Sequence, residues 1–547
     1  MKGFSYDALD VLIDAALLID RHLLRERRTL WLLPIVIIAG LMAADAQMPA
    51  DTISLFGLEL PGGIATTILA LMAYALLLHC AANAKSVRAA FWLGFVFGFV
   101  FFAVGLFWIF QALSGYIGLP VIAALPLAAL LFAYLALYIG AVCAAVRYCV
   151  PAGRILALIA GAAVWTLAES LREVALTGFP WFAAGYSQIP NGLFAGFAPL
   201  GGMATVNFAL MLSAALLAAA WQRGAGGWHK RMIYIVVIGI IIGAGGFGKT
   251  AQWTTAKGEV SVSLLQGNVK QELKWKKEEV RKALWDYLKM AKRSEGRIII
   301  LPETALPMTR DNLPTGYFLS LKSMAEKRNG AVIAGMFEEE SGKTYNAAIA
   351  TGDFAETSYR KRHLTPYGEY LPLADITGPL LRREWMAFFG LSPGLSDAPL
   401  RLPFADIGIA ICYEDIFGGE LRGRMAKADF LANLTNDGWF DGSMMAAQHL
   451  RYSQARALES GRDIVRATNT GVSAFINHRG EVVSVLPPQE QGILEGRVQL
   501  RKGATPFALY GDAPVLLFAL LFFGAVVFAA RKKHGGERGG GRAALID

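Results

Sequence analysis

The sequence predicts an α-helical membrane bundle of about eight spans joined to an α/β domain outside the cytoplasm. Three observations carry this prediction. The 547-residue chain is 55% hydrophobic and only 17% charged. Its apolar residues are crowded into the first 250 positions and a patch near 514–530. Between them, residues 258–500 alternate short apolar runs with helical stretches at ordinary soluble composition.

A span needs about 20 mostly apolar residues. Eight stretches qualify as candidates: 30–45, 63–82, 89–112, 119–146, 154–171, 200–221, 231–248 and 512–530. Basic residues in short loops set orientation, while acidic ones matter little. Seventeen lie on one side: Lys2, Arg21, Arg25, Arg27, Arg28, Lys85, Arg88, Arg147, Arg154, Arg223, Lys230, Arg231, Arg531, Lys532, Lys533, Arg538 and Arg542. The opposite short loops hold one, Arg172. Both termini are therefore expected in the cytoplasm, with the soluble domain facing outward between spans seven and eight. The same bias explains much of the +9 net charge, so a nucleic-acid partner is not inferred.

Residues 1–29 read as a cytoplasmic arm, with Leu12, Ile13, Ala16, Leu17, Ile19 and Leu23 roughly on one helical face. Arg21–Arg28, the apolar run Leu30–Met42 and Ala44-Asp-Ala46 also fit a cleavable signal peptide. An uncleaved anchor is the favoured reading. The Gly/Arg-rich stretch Gly535–Gly541 predicts a disordered tail within 531–547.

In the soluble domain, strands are expected at 260–265, 297–301, 331–336, 347–351, 406–411, 430–434, 464–468, 473–476 and 482–486. Helices are expected at 276–293, 319–328, within 419–427 and at 444–460. Alternating strands and helices imply layered α/β packing, and neighbouring strand pairs imply a mixed sheet.

Three segments place reactive groups just past strands. Ile298-Ile-Ile-Leu-Pro-Glu303 ends in a carboxylate, and Tyr359-Arg-Lys361 supplies an ammonium. Ile409-Ala-Ile-Cys412 supplies a thiol; the other cysteines, Cys80, Cys143 and Cys149, lie in or beside apolar stretches. Strand ends along one sheet edge are where α/β folds collect their sites. A thiolate is the nucleophilic form, and nearby cations favour it. Glu303 can accept the Cys412 proton, and Lys361 can stabilise the thiolate and then a tetrahedral oxyanion. His363 is assigned a structural role. The apolar run Trp385–Gly394 reads equally as a mobile lid at a lipid interface or as core packing by Phe388 and Phe389.

The combination of Glu303, Lys361 and Cys412 resembles the Glu-Lys-Cys triad of the nitrilase superfamily. Within it, the chain resembles the membrane-bound apolipoprotein N-acyltransferase family from about residue 89 to 530. The segments that carry this likeness include Gly98-Phe-Val-Phe-Phe-Ala-Val-Gly-Leu-Phe-Trp108, Gly178-Phe-Pro-Trp-Phe-Ala-Ala-Gly-Tyr-Ser-Gln188 and Pro199-Leu-Gly-Gly202. Others are Gln266-Gly-Asn268, Lys361-Arg-His-Leu-Thr-Pro-Tyr-Gly-Glu369, Cys412-Tyr-Glu414, Thr435-Asn-Asp-Gly-Trp-Phe440 and Ala455-Arg-Ala-Leu-Glu459.

The resemblance implies an α-β-β-α sandwich. It makes Glu303 the general base, Lys361 the oxyanion lysine and Cys412 the nucleophile, with Trp275, Glu369, Tyr413, Glu414 and Trp439 in supporting or substrate-binding roles. It implies transfer of an acyl chain from a phospholipid, phosphatidylethanolamine, to the N-terminal amine of S-diacylglyceryl-cysteine apolipoproteins, through a thioester on Cys412. It implies a monomer in the bacterial inner membrane, with the catalytic domain on the periplasmic side. A conjugal-transfer-type paralogue with another acceptor, and an anchored nitrilase-type amidase or hydrolase, are the alternatives. A transporter is disfavoured because the spans carry few ionisable residues. No metal-ligand cluster, Walker loop or dinucleotide fingerprint is found, so no metal or cofactor is inferred.

Overall fold

The computed structural model describes residues 32–48, 52–55, 58–222, 227–372, 375 and 390–543. The N-terminal arm and Trp385–Phe389 of the apolar run lie outside the described residues. The chain divides into two compact units. One comprises Met1–Phe197, Met203–Lys249 and Asp512–Asp547; the other comprises Ala198–Gly202 and Thr250–Gly511.

Among the described residues, seven helices are long and apolar enough to cross a membrane. A shorter one precedes them, α1 (Leu33–Asp45). The seven are α2 (Gly62–Asn83), α3 (Val87–Gly105), α4 (Val121–Cys149), α5 (Arg154–Val174), α6 (Ala198–Ala220), α7 (Gly227–Thr250) and α12 (Ala513–Ala543). The first predicted span is thus the 13-residue α1, roughly 20 Å long against a hydrocarbon core of about 30 Å. Helix α12 continues past its apolar stretch through 535–541, where the glycine content predicts no ordered element. Propagating an existing helix needs no new nucleus.

Small residues set how closely these helices pack. A Cβ on Gly94 of α3 would lie 2.6 Å from Cys143 Sγ and 2.7 Å from the Ile139 carbonyl of α4. One on Gly98 would lie 3.0 Å from Ala136 Cα. Close backbone approach of this kind replaces the hydrophobic driving force that lipid removes. Polar side chains within the bundle hold the irregular segment 175–197. Arg172 donates to the carbonyls of Phe179 at 2.8 Å and Trp181 at 2.7 Å. Glu169 accepts from the Ala184 N–H at 2.9 Å and from the Asn207 amide.

A short antiparallel pair, β1 (Thr52–Leu55) and β2 (Leu58–Pro61), lies between α1 and α2. The second unit is built on two mixed sheets. One runs in the order β15-β3-β4-β6-β7-β8, with β5 (Leu306–Thr309) also paired to β6. Its strands are β3 (Thr254–Gln266), β4 (Ile298–Ile300), β6 (Ala331–Glu340), β7 (Lys343–Gly352), β8 (Phe354–Arg360) and β15 (Gly492–Gly503). The other runs β14-β13-β12-β11-β10-β9. Its strands are β9 (Leu400–Leu402), β10 (Ala405–Ile411), β11 (Phe430–Thr435), β12 (Ile464–Thr468), β13 (Ser473–Ile476) and β14 (Val482–Leu486).

Side-chain alternation builds the layers. Ile298 and Ile300 of β4 point to the inter-sheet core, where they join Ile407, Ile409 and Ile411 of β10. Ile299 points the other way, to a layer with Leu284 and Tyr287 of α8 (Lys277–Arg293) and Leu321 of α9 (Tyr317–Glu326). Across the second sheet, Ala410 and Leu431 meet Leu421 and Met425 of α10 (Gly418–Lys427) and Ala457 of α11 (Met445–Ser460). The order is helix, sheet, sheet, helix, as the resemblance implies.

Candidate active site

Parallel pairing aligns strands within each sheet, and side-chain contacts tie the catalytic segments of the two sheets together. β3, β4 and β6 are parallel neighbours, as are β10, β11 and β12. Antiparallel steps from β6 to β7 and from β7 to β8 return β8 to the direction of β6. The residues just past β4, β8 and β10 are those that sequence reasoning singled out: Glu303, Lys361 and Cys412.

Lys361 is buried, and its Nζ lies 2.7 Å from Glu369 Oε2 and 3.4 Å from Glu303 Oε1. Asn346 of β7 donates one amide to both carboxylates, at 2.8 Å to Glu303 and 2.7 Å to Glu369. The Thr365 N–H adds a 2.8 Å bond to Glu369. Burial alone opposes the Lys361 charge, but Glu369 and Glu303 together hold the ammonium above the ordinary lysine range.

Cys412 opens the turn Cys412–Ile416 directly after β10 and adopts a left-handed φ of 51°. Such backbone in a non-glycine residue costs roughly 1–3 kcal/mol and clusters at functional sites. Burial, then the Glu303 carboxylate, push its thiol up; Lys361 pulls it down, and the net effect is a raised value. Burial and Glu303 thus favour the neutral thiol. Burial works against the thiolate that the sequence reading has Lys361 stabilise once Glu303 takes the proton.

Glu414 joins two catalytic segments. Its Oε1 accepts from Tyr359 Oη at 2.7 Å and from the Arg362 N–H at 2.9 Å, past β8. Its Oε2 accepts from the Ile411 N–H at 2.7 Å, one residue before the nucleophile. Tyr413 turns aside to pack on His363 and Phe417. His363 bonds Glu420 at 2.9 Å and stacks on Phe417. Trp275 stacks on Phe337 and remains partly exposed. Trp439 is half-buried in the turn Asp437–Phe440 after β11.

Several site residues escape the sequence reading. Asn346 is one; its signal is an amide, poor in strands, beside the buried run Ala347-Ala348-Ile349. Asp437 is another. Burial opposes its charge, but His449 and Arg466, each at 2.9 Å, hold its carboxyl down at about 2. Arg466 was detectable as a charge in the buried strand β12. Lys274 is the third, buried with its Nζ on the Glu303 carbonyl at 3.4 Å and on the Thr304 hydroxyl.

Among the described residues, no group of acidic, cysteine and histidine side chains is arranged to hold a metal ion. The arrangement can do acyl transfer: a sulfur nucleophile, a carboxylate to take its proton and a buried ammonium to meet an oxyanion.

Comparison with known proteins agrees. Residues 261–505 match the carbon-nitrogen hydrolase family and residues 54–216 match the apolipoprotein N-acyltransferase N-terminal domain. The chain is 39% identical over 437 residues to an apolipoprotein N-acyltransferase of Chromobacterium violaceum, covering 79% of this chain and 84% of that one. It is 38% identical over 451 residues to one of Nitrosomonas europaea, covering 80% and 89%. It is 37% identical over 453 residues to one of Neisseria meningitidis, covering 80% and 88%.

Proposed function

The chain belongs to the apolipoprotein N-acyltransferase family, and from that premise we propose a two-step acyl transfer centred on Cys412. The protein is an N-acyltransferase and a multi-pass bacterial membrane protein. Its donor is a phospholipid, phosphatidylethanolamine, and its acceptor is the α-amine of an S-diacylglyceryl-cysteine at an apolipoprotein N-terminus. The observation that carries the reading is the meeting of Glu303 and Lys361, past strands of one sheet, with the Cys412 turn, past a strand of the other.

In the first step Cys412 Sγ attacks the ester carbonyl while its proton passes to Glu303. The C–S bond forms, and the oxyanion is met by the Lys361 ammonium. Collapse breaks the C–O bond, and Glu303 returns the proton to the leaving lysophospholipid oxygen. In the second step the acceptor amine attacks the thioester and gives a proton to Glu303. The C–N bond forms, the C–S bond breaks, and the sulfur is released to take a proton. Formation of an amide from a thioester runs downhill, provided water is excluded.

Glu369 supports the reading as the partner that keeps Lys361 charged, and Glu414 as the tie between the Lys361 and Cys412 segments. Tyr413 shapes the nucleophile turn, and Trp275 and Trp439 contact substrate. The basic loops argue for a periplasmic catalytic unit, and the protein acts as a monomer. Intact-mass analysis after incubation with phosphatidylethanolamine tests the scheme. A gain of one acyl chain, absent in Cys412→Ala and discharged by a diacylglyceryl lipopeptide, is expected. A native enzyme that turns over without ever carrying the acyl mass overturns it.

A further inference from the structure

Lys274 sits in the turn 271–275, which follows β3 and carries no regular helix. A Gln271–Asn436 bond of 2.7 Å ties this turn to the segment after β11. The Lys274 side chain is almost wholly enclosed, at 4% exposure. Its Nζ donates to the Glu303 carbonyl and to Thr304 Oγ1. Thr304 is itself left-handed, with φ 46°. The ammonium thus grips the backbone of the turn that aims the general base.

We propose that Lys274 is a second cation of the acyl-transfer site, a positioning residue that fixes the Glu303 turn and balances the negative charge that moves from Glu303 to sulfur and oxyanion. This rests on the acyl-enzyme reading above and deepens it. Charge balance is the argument. Glu303 and Glu369 bring two negative charges, and Lys361 and Lys274 bring two positive ones. With Lys274 neutral, one excess negative charge stands where the oxyanion must form, in a site that water screens poorly.

The titratable groups facing Lys274 are the Glu303 carboxylate and the Cys412 thiol; Lys361 shares Glu303, and Asp437 faces Cys412 from the segment after β11. Its own turn carries Glu272, with Lys270 just before it and Lys276 just beyond. Burial pushes the Lys274 ammonium down to about 8, against the pull of Glu303 and Cys412. Acylation is therefore expected to fall on the alkaline side as this charge is lost.

The test measures the rate of acyl-adduct formation on full-length enzyme with phosphatidylethanolamine micelles, from about pH 6 to about pH 10. Native enzyme should show an alkaline fall centred near 8. Lys274→Met, an uncharged near-isostere, and Lys274→Gln, which keeps a donor, should both acylate about 10- to 100-fold more slowly near neutrality. Neither should show the alkaline fall. Thermal melting identifies a folded variant, and either suffices. If Lys274→Gln keeps the native rate and pH profile, the charge has no role and the inference fails. If native enzyme forms no adduct at any pH, the acyl-enzyme reading itself fails and takes this inference with it.

Discussion

The Lys361 ammonium lies 2.7 Å from Glu369 Oε2, and both groups are buried. The contact to Glu303 is longer, 3.4 Å. Glu369 is thus the closer counter-ion, and Glu303 is left freer to take a proton. Glu369→Gln should leave Lys361 poorly compensated and lower the acylation rate by about 100- to 1,000-fold. Adduct formation followed by mass checks this. Melting should also fall, because breaking a buried pair leaves an unpaired charge.

Because burial and Glu303 push the Cys412 thiol up, its alkylation by iodoacetamide should be slow at neutral pH. The rate should keep rising beyond about pH 9, past the ordinary cysteine range. Glu303→Gln removes one of the groups that raise the thiol. That variant should alkylate faster than native enzyme at the same pH while losing acyl transfer. Peptide mapping of Cys412 modification gives both rates.

Asp437 anchors a buried set with His449 and Arg466. Asp437→Asn should destabilise the catalytic unit by roughly 3–5 kcal/mol, since the buried Arg466 guanidinium loses its carboxylate. The sign of the pH effect follows from a folded value near 2 against about 3.9 when unfolded. Asp437 contributes its stability in full above the unfolded value, and that contribution is lost as pH falls through about 2. Acid melts of native enzyme should therefore steepen relative to the Asn variant.

Gly94→Ala tests the bundle. The added methyl would meet both Cys143 Sγ at 2.6 Å and the Ile139 carbonyl at 2.7 Å. Over-packing of this kind typically costs about 1–3 kcal/mol, read as a lower melting temperature in detergent. Adding Cys143→Ala should restore only part of the loss, because the Ile139 backbone stays in place.

Most of the architecture was legible because the apolar pattern reports burial. Ile298–Leu301 and Ile409–Ile411 read as strands because both faces of their sheets are covered. Glu303 and Cys412 were then visible as the first reactive groups beyond them. β8 was missed because Phe354-Ala-Glu-Thr-Ser-Tyr-Arg360 is an edge strand with polar exposed positions. Asn346 and Lys274 were missed for another reason. Their partners come from pairing register and from loops far apart in sequence, as in the 43-residue separation between Asn346 and Glu303. No local pattern encodes such meetings.

Thiolates are oxidised to sulfenic acid far more readily than thiols. On the periplasmic face proposed for this unit, no glutathione pool protects an exposed sulfur. A nucleophile kept uncharged until a lipid ester arrives would resist both oxidation and mixed-disulfide capture. The left-handed turn at residue 412 would then house a sulfur suited to the oxidising compartment proposed for it.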